Sequence, residues 1–170
     1  ALARLQGVTF AIEGQGWLRE VLEEMALGLG GRTIHVRPQD RPLYHATSVM
    51  SCGYLAALLG AAARLWETMG FPPEEGLRAM VPIAKATLKN LARVGTAQAT
   101  TGPLVRGDVA TLRGHLEALG DRAPELVPLY CSLALQSLPV AVQRGVPQEK
   151  VEEIRALLED SLRSAVSAKV

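Results

Sequence analysis

Cysteine is scarce in this chain, aromatic residues make up only 4% of it, and neither sign of charge predominates. Two cysteines, Cys52 and Cys131, exclude a disulfide framework. Both sit in apolar text and are expected to be buried small hydrophobes of a reducing compartment. Eighteen basic against 17 acidic residues leave a net charge of +1. That gives no field to draw a polyphosphate, so nucleic acid is not an expected partner. The three histidines, His35, His45 and His115, are scattered, and neither cysteine has a neighbour at ligand spacing; no metal site is expected. Nor is there a nucleophile elbow or a Ser-His-Asp signature. No basic segment followed by an apolar run opens the chain, so no secretory signal is read and the expected location is the cytoplasm. Residue 1 is Ala, not Met, which suits a fragment or a processed product.

What the chain has in quantity is apolar text, 48% of its residues. From Ala46 to Ala63 no charge occurs over 18 residues, the lower limit for a membrane span. Thr47, Ser48, Ser51, Gly53 and Gly60 dilute that run, and Arg64 and Glu67 close it without an aromatic or basic belt. The expectation is therefore no membrane, but a helix surrounded by protein. Ala56 and Gly60 lie four apart and Gly53 one heptad before Gly60, a nearly smooth strip that lets another backbone approach. A partner subunit related by a two-fold axis would cover it economically, giving a homodimer through helix 43–69. The other reading is the central core helix of a monomer.

The first 37 residues read differently from the rest. Val8 to Ile12 is β-branched and aromatic; Trp17 to Leu27 shows a helical pattern at Trp17, Val21, Leu22 and Met25; Gly28, Gly30 and Gly31 stop it; Arg32 to Val36 is a second strand. Strand, helix, strand in this span is a βαβ unit with parallel strands. Parallel strands need cover on both faces and more than one neighbour, so a larger sheet is expected to precede residue 1 or come from another chain. Pro38 to Pro42 reads as a polar hinge, and residues 38–170 as an all-helical domain. Its helices run over Leu43–Met69, from Pro72 to Gly95 (Leu77, Met80, Ala84, Leu88 and Leu91 on one face, with Pro82 within it), from Asp108 as N-cap through Val109, Leu112, Leu116 and Leu119 to Gly120, from Pro124 to Arg144 around Pro139, and from Pro147 through Val151, Ile154, Leu157, Leu158 and Leu162. Thr96 to Gly107 is a loop of small polar residues. The fold class is mainly α with a short N-terminal βαβ remnant.

Particular runs carry a resemblance: Gly7 to Glu13, Leu43-Tyr44-His45-Ala46, Thr87 to Leu91, and Thr101-Gly102-Pro103 with Arg106-Gly107-Asp108. In this order they resemble the C-terminal region of proteins described as a Rossmann-like domain followed by domain of unknown function 2520. Members look like relatives of pyrroline-5-carboxylate reductase, deazaflavin-dependent NADP oxidoreductase and the 6-phosphogluconate dehydrogenase helical domains. The resemblance implies an oxidoreductase-like ancestry, with NAD or NADP bound by a Rossmann half missing from this chain. It also implies a helical domain of the 6-phosphogluconate dehydrogenase C-terminal-like type that dimerises and walls a cleft for a small-molecule substrate. No cofactor is expected on this chain alone: Gly14-Gln-Gly16 is followed by Arg19 at the third glycine position, so Gly14 and Gly16 read as turn residues. Cys52-Gly53 stands where the family usually carries Ser-Asn, which removes an amide that would orient a ligand.

Two regions are candidate sites. His45, at the start of the long helix, is the candidate catalytic residue, because a histidine titrates near neutral pH and can give a proton to a carbonyl; the other reading has it fixing the hinge. Thr101, Gly102, Pro103 and Arg106 in the loop, and Asn90 one turn on from Thr87, are candidates for substrate or cofactor binding, with Thr100 beside them. Exposed amides at a helix N-terminus cradle an anion and Arg106 can grip it. The same loop also reads as a cap, with Asp108 on the helix and Arg106 in solvent. The function read is the helical domain of an oxidoreductase-like protein, with a non-catalytic assembly or ligand-sensing module as the alternative.

Overall fold

A computed structural model describes residues 5–167. Strand β1 (Thr9–Ile12), helix α1 (Trp17–Gly28) and strand β2 (Arg32–His35) come first. The strands pair in parallel with Thr9 opposite Arg32 and Ile12 opposite His35, and make a two-stranded sheet among the described residues. Gly31 lets β2 approach β1: a Cβ there would stand 2.4 Å from the Phe10 ring and 2.9 Å from the Val8 carbonyl oxygen.

The expected hinge at Pro38–Pro42 is instead the beginning of a helix. A 3₁₀ turn at Pro38–Asp40 runs into α2 (Arg41–Val49), a π-helical segment (Met50–Tyr54) and α3 (Leu55–Thr68). The physical reason is positional. Proline is tolerated in a first helical turn, and the residue before it is held extended, as Arg37 is at φ −70° and ψ 148°. Arg41 also donates to Glu13 at the end of β1, anchoring the helix start on the sheet. The chain divides into two compact units, one through Ala57 and one from Leu58 onward, so the division falls within α3, whereas the composition shifts at residues 37/38.

In the first unit burial is thin. Ile12 and Ala26 are its buried hydrophobics among the described residues, while Trp17, Val21 and Met25 of α1 lie exposed. Cys52, expected to be buried, is exposed in the π-helical segment: no described residue covers it.

The second unit holds the core. It contains the remainder of α3, then α4 (Pro73–Ala99), α5 (Val109–Arg122), α6 (Val127–Gln143) and α7 (Gln148–Ser167). The apolar stripe of α5, Val109, Leu112, Leu116 and Leu119, is buried throughout. It meets Cys131, Leu138 and Ala141 of α6 and Val151, Ile154 and Leu158 of α7 in one cluster. Burial pushes the Cys131 thiol up from its ordinary pKa, which leaves it an inert packing group. On the expected apolar face of helix α4, Met80, Ala84 and Leu91 are half-buried while Leu77 and Leu88 are exposed; Gly76 and Ala99 are its buried residues. Pro82 and Pro139 lie inside α4 and α6.

Candidate functional site

The loop between α4 and α5 is built by three local devices. Gly95 interrupts α4 at φ 74°, ψ 174°, and Thr96–Ala99 then adds one more helical turn, so the expected loop from Thr96 begins later, at Thr100. A 3₁₀ turn over Leu104–Arg106 follows, with Leu104 and Val105 buried against the core. Gly107 closes it in the left-handed region at φ 67°, and a Cβ there would meet Val146 at 3.0 Å; only glycine combines that φ with that clearance. Asp108 then caps α5. Its carboxylate accepts from the Thr111 backbone N–H at 3.0 Å and from the Thr111 hydroxyl at 2.7 Å. These bonds, foremost that from the Thr111 hydroxyl, hold its pKa below the ordinary carboxylate value, with Arg106 and His115 adding to the effect.

Arg106 is exposed and stands 4.0 Å from Asp108, a separation at which the pair is weak in water. Thr101 and Pro103 face a different feature. With Thr100, Leu104 and Leu112 they line a cavity of about 260 Å³ whose far wall is Tyr130, Leu133, Ala134 and Ser137 of α6. Thr101 and Thr100 also line a second hollow of about 230 Å³ with Thr87, Leu91 and Ala99. The structure therefore brings Thr87, Thr100, Thr101 and Pro103 to adjoining hollows. Arg106, Gly102 and Asn90 are not among the residues that line these two, and Asn90 is exposed on α4. His45 belongs to the first unit, exposed within α2.

The chemistry available at the cavity is that of hydroxyl groups over an apolar floor. Thr100 donates to the Thr96 carbonyl at 2.8 Å and Ser137 to the Leu133 carbonyl at 2.8 Å, so both turn their protons back on their own helices. Tyr130 is different. Burial, with a smaller contribution from Cys131, raises its pKa, and its hydroxyl lies 2.9 Å from His115 Nδ1. Tyr130 and Ser137 were not singled out in the sequence, since nothing local marks them: they reach the loop only because α6 packs beneath it. Among the described residues no three His, Cys, Asp or Glu side chains are grouped to hold a metal ion.

One family model matches the chain, that of a domain of unknown function (DUF2520), over residues 8–137. The match spans well over half of the sequence. This chain belongs to the DUF2520 family. The matched stretch takes in β1 through most of α6, and so both the Thr100–Asp108 loop and the α6 residues across from it; α7, which completes the core, lies outside it. No curated protein and no solved structure matches the chain.

Proposed function

We propose that this DUF2520 chain is the pairing and ligand-cleft part of a cytoplasmic, oxidoreductase-like homodimer. NAD or NADP would be held by a larger Rossmann-like sheet to which β1 and β2 belong, and a small-molecule substrate would meet the loop residues Thr101, Gly102, Pro103 and Arg106. The observation that carries the pairing is the bare apolar surface of the long helix: Leu43 is 71%, Met50 65% and Tyr54 63% exposed. Monomeric proteins seldom leave such contiguous apolar surface in water. Gly53 and Gly60 add to it, since apart from chain neighbours and the helix's own backbone no described atom lies within 4 Å of the position a Cβ would take at either. That free space suits the close approach of a second helix. The sheet supports the other half, for two parallel strands with Val8 and Ile34 exposed need neighbours.

Two helical stretches, Pro38–Thr68 and Pro124–Gln143, are long and apolar enough to cross a membrane by length and composition. The second contributes Cys131, Leu138 and Ala141 to the core, as a core helix does. Sedimentation velocity tests the pairing: the chain is expected to run as a dimer, and Gly60→Leu, which meets open space in one copy, as a folded monomer. A wild-type monomer at micromolar concentration, or a dimer indifferent to both Gly60→Leu and Met50→Glu, would sink it. Flotation with lipid vesicles would favour a membrane span instead.

Cys52-Gly53 favours the second reading, a dimeric assembly or ligand-sensing module without chemistry. Titration of the protein together with its sheet-bearing half against NADPH, followed by cofactor fluorescence, separates the two. Binding with turnover of a carbonyl substrate supports the first, and binding of neither supports the second.

A further inference from the structure

A third cavity of the helical unit, of about 350 Å³, opens beside the core and is lined by Leu65, Met69, Ala118 and Leu119 with Thr68, His115, Arg122 and Tyr130. Its volume lies in the range of small-molecule sites, and apolar walls with a few convergent polar groups are their usual composition. What distinguishes it is the sign of those polar groups. His115 Nδ1 and the Tyr130 hydroxyl are 2.9 Å apart, with their rings edge to face at 6.0 Å. If the phenol donates to Nδ1, the neutral ring carries its proton on Nε2 and keeps a free N–H. If Nδ1–H donates to the phenol, the phenolic O–H is left to give. Either arrangement leaves one donor over. Arg122 donates to the Thr68 carbonyl, which uses one of five guanidinium N–H groups and leaves a permanent positive charge. The Thr68 hydroxyl is turned back on the Leu65 carbonyl at 2.9 Å. No Asp or Glu lines the cavity.

We infer that this cavity binds a small amphipathic carboxylate, its apolar body against Leu65, Met69 and Leu119 and its head on Arg122 and the His115–Tyr130 pair. The charge complementarity is one-sided: a site offering donors and a cation over apolar walls favours an anion with a hydrocarbon body over the matching alcohol, and repels the matching amine. Leu65, Thr68 and Met69 belong to the end of the long helix, but the assignment rests on neither its pairing nor any nucleotide.

Octanoate, octan-1-ol and octylamine, equal in chain length, are the probes. Titrated into the whole chain and followed by NMR of the Met69 methyl and the His115 ring, octanoate is expected to shift both signals saturably. Octan-1-ol should bind more weakly and octylamine not at all. Arg122→Gln should weaken octanoate about tenfold or more, the worth of one charge-assisted hydrogen bond, and leave octan-1-ol unchanged. Tyr130→Phe should weaken octanoate less. Ala118→Phe, introduced from an exposed position on α5, should fill the cavity and abolish all binding while circular dichroism stays that of the parent. Octylamine or octan-1-ol binding as tightly as octanoate would overturn the assignment. So would octanoate affinity unchanged in Arg122→Gln, or the absence of any saturable shift.

Discussion

Asp108 shows how much one side chain settles locally. It satisfies an otherwise orphaned N–H at the start of α5 and stands at the positive end of the helix dipole. Asp108→Ala is expected to lower the melting temperature by a few degrees. The pH dependence follows from the direction of its shift. The folded-state pKa lies below the unfolded one, so the carboxylate stabilises the fold above the unfolded value of about 4, and that contribution disappears as pH falls through the folded value. Melts of parent and Asp108→Asn should therefore differ at pH 7 and converge as pH falls through the folded-state value; a constant gap would show that the cap acts through shape alone. Gly76 makes a contrasting point. A Cβ there would stand 2.7 Å from Trp66 Cγ and 3.1 Å from its Cβ, near the base of a ring that also packs edge to face on Phe71 at 5.6 Å. The base of a tryptophan cannot swing aside as a chain tip can. Gly76→Ala is expected to cost about 1–3 kcal/mol in urea unfolding, the usual range for overpacking, despite its better helix propensity.

At the scale of elements, the helices whose burial is supplied by this chain were the ones legible in its sequence. The α5 stripe and most of the α7 stripe are buried where periodicity placed them, and the Asp108 cap lies where residue type placed it. Capping and amphipathicity are short-range effects, so short-range text records them. Helix α4 shows the limit. Its apolar face is equally regular in sequence, yet Leu77 and Leu88 are exposed and Met80, Ala84 and Leu91 only half-buried, because periodicity says which face is apolar and not what covers it. The π-helical segment at Met50–Tyr54 was illegible for another reason: one extra residue in a turn leaves no mark in an uncharged run. Of the loop residues picked out by type, Thr101 and Pro103 line a cavity, while Tyr130 and Ser137 enter it only through tertiary packing that no local text records. Gly95 was read as a stop and acts as a break, with the helix resuming after it. No described atom would oppose a Cβ there, so Gly95→Ala isolates the backbone cost of a positive φ. A loss of about 1–2 kcal/mol is expected; a neutral result would mean that Thr96–Ala99 realigns with the preceding helix.

Over the whole molecule the distribution of burial is uneven, and this has a measurable consequence. The second unit owns a contiguous core in which Cys131, Ile154 and Leu158 are fully buried. The first unit buries Ile12 and Ala26 and leaves Trp17 and Met25 of α1 in solvent. Conformational entropy weighs on both units alike, at roughly 1–2 kcal/mol per residue for the backbone, but apolar burial offsets it in one unit far more than in the other. Opening free energies should follow. In native-state hydrogen exchange, amides of α5, α6 and α7 are expected to be protected to the full unfolding free energy of their unit. Those of β1, α1 and β2 should exchange at least about a hundredfold faster, a difference of about 2.7 kcal/mol or more. If β1 and β2 belong to the larger sheet proposed above, adding that sheet should then slow exchange at β1 and β2 while leaving α5–α7 unchanged. Uniform protection along the isolated chain would mean that two parallel strands and one helix hold themselves together, and the need for a larger sheet would disappear with it.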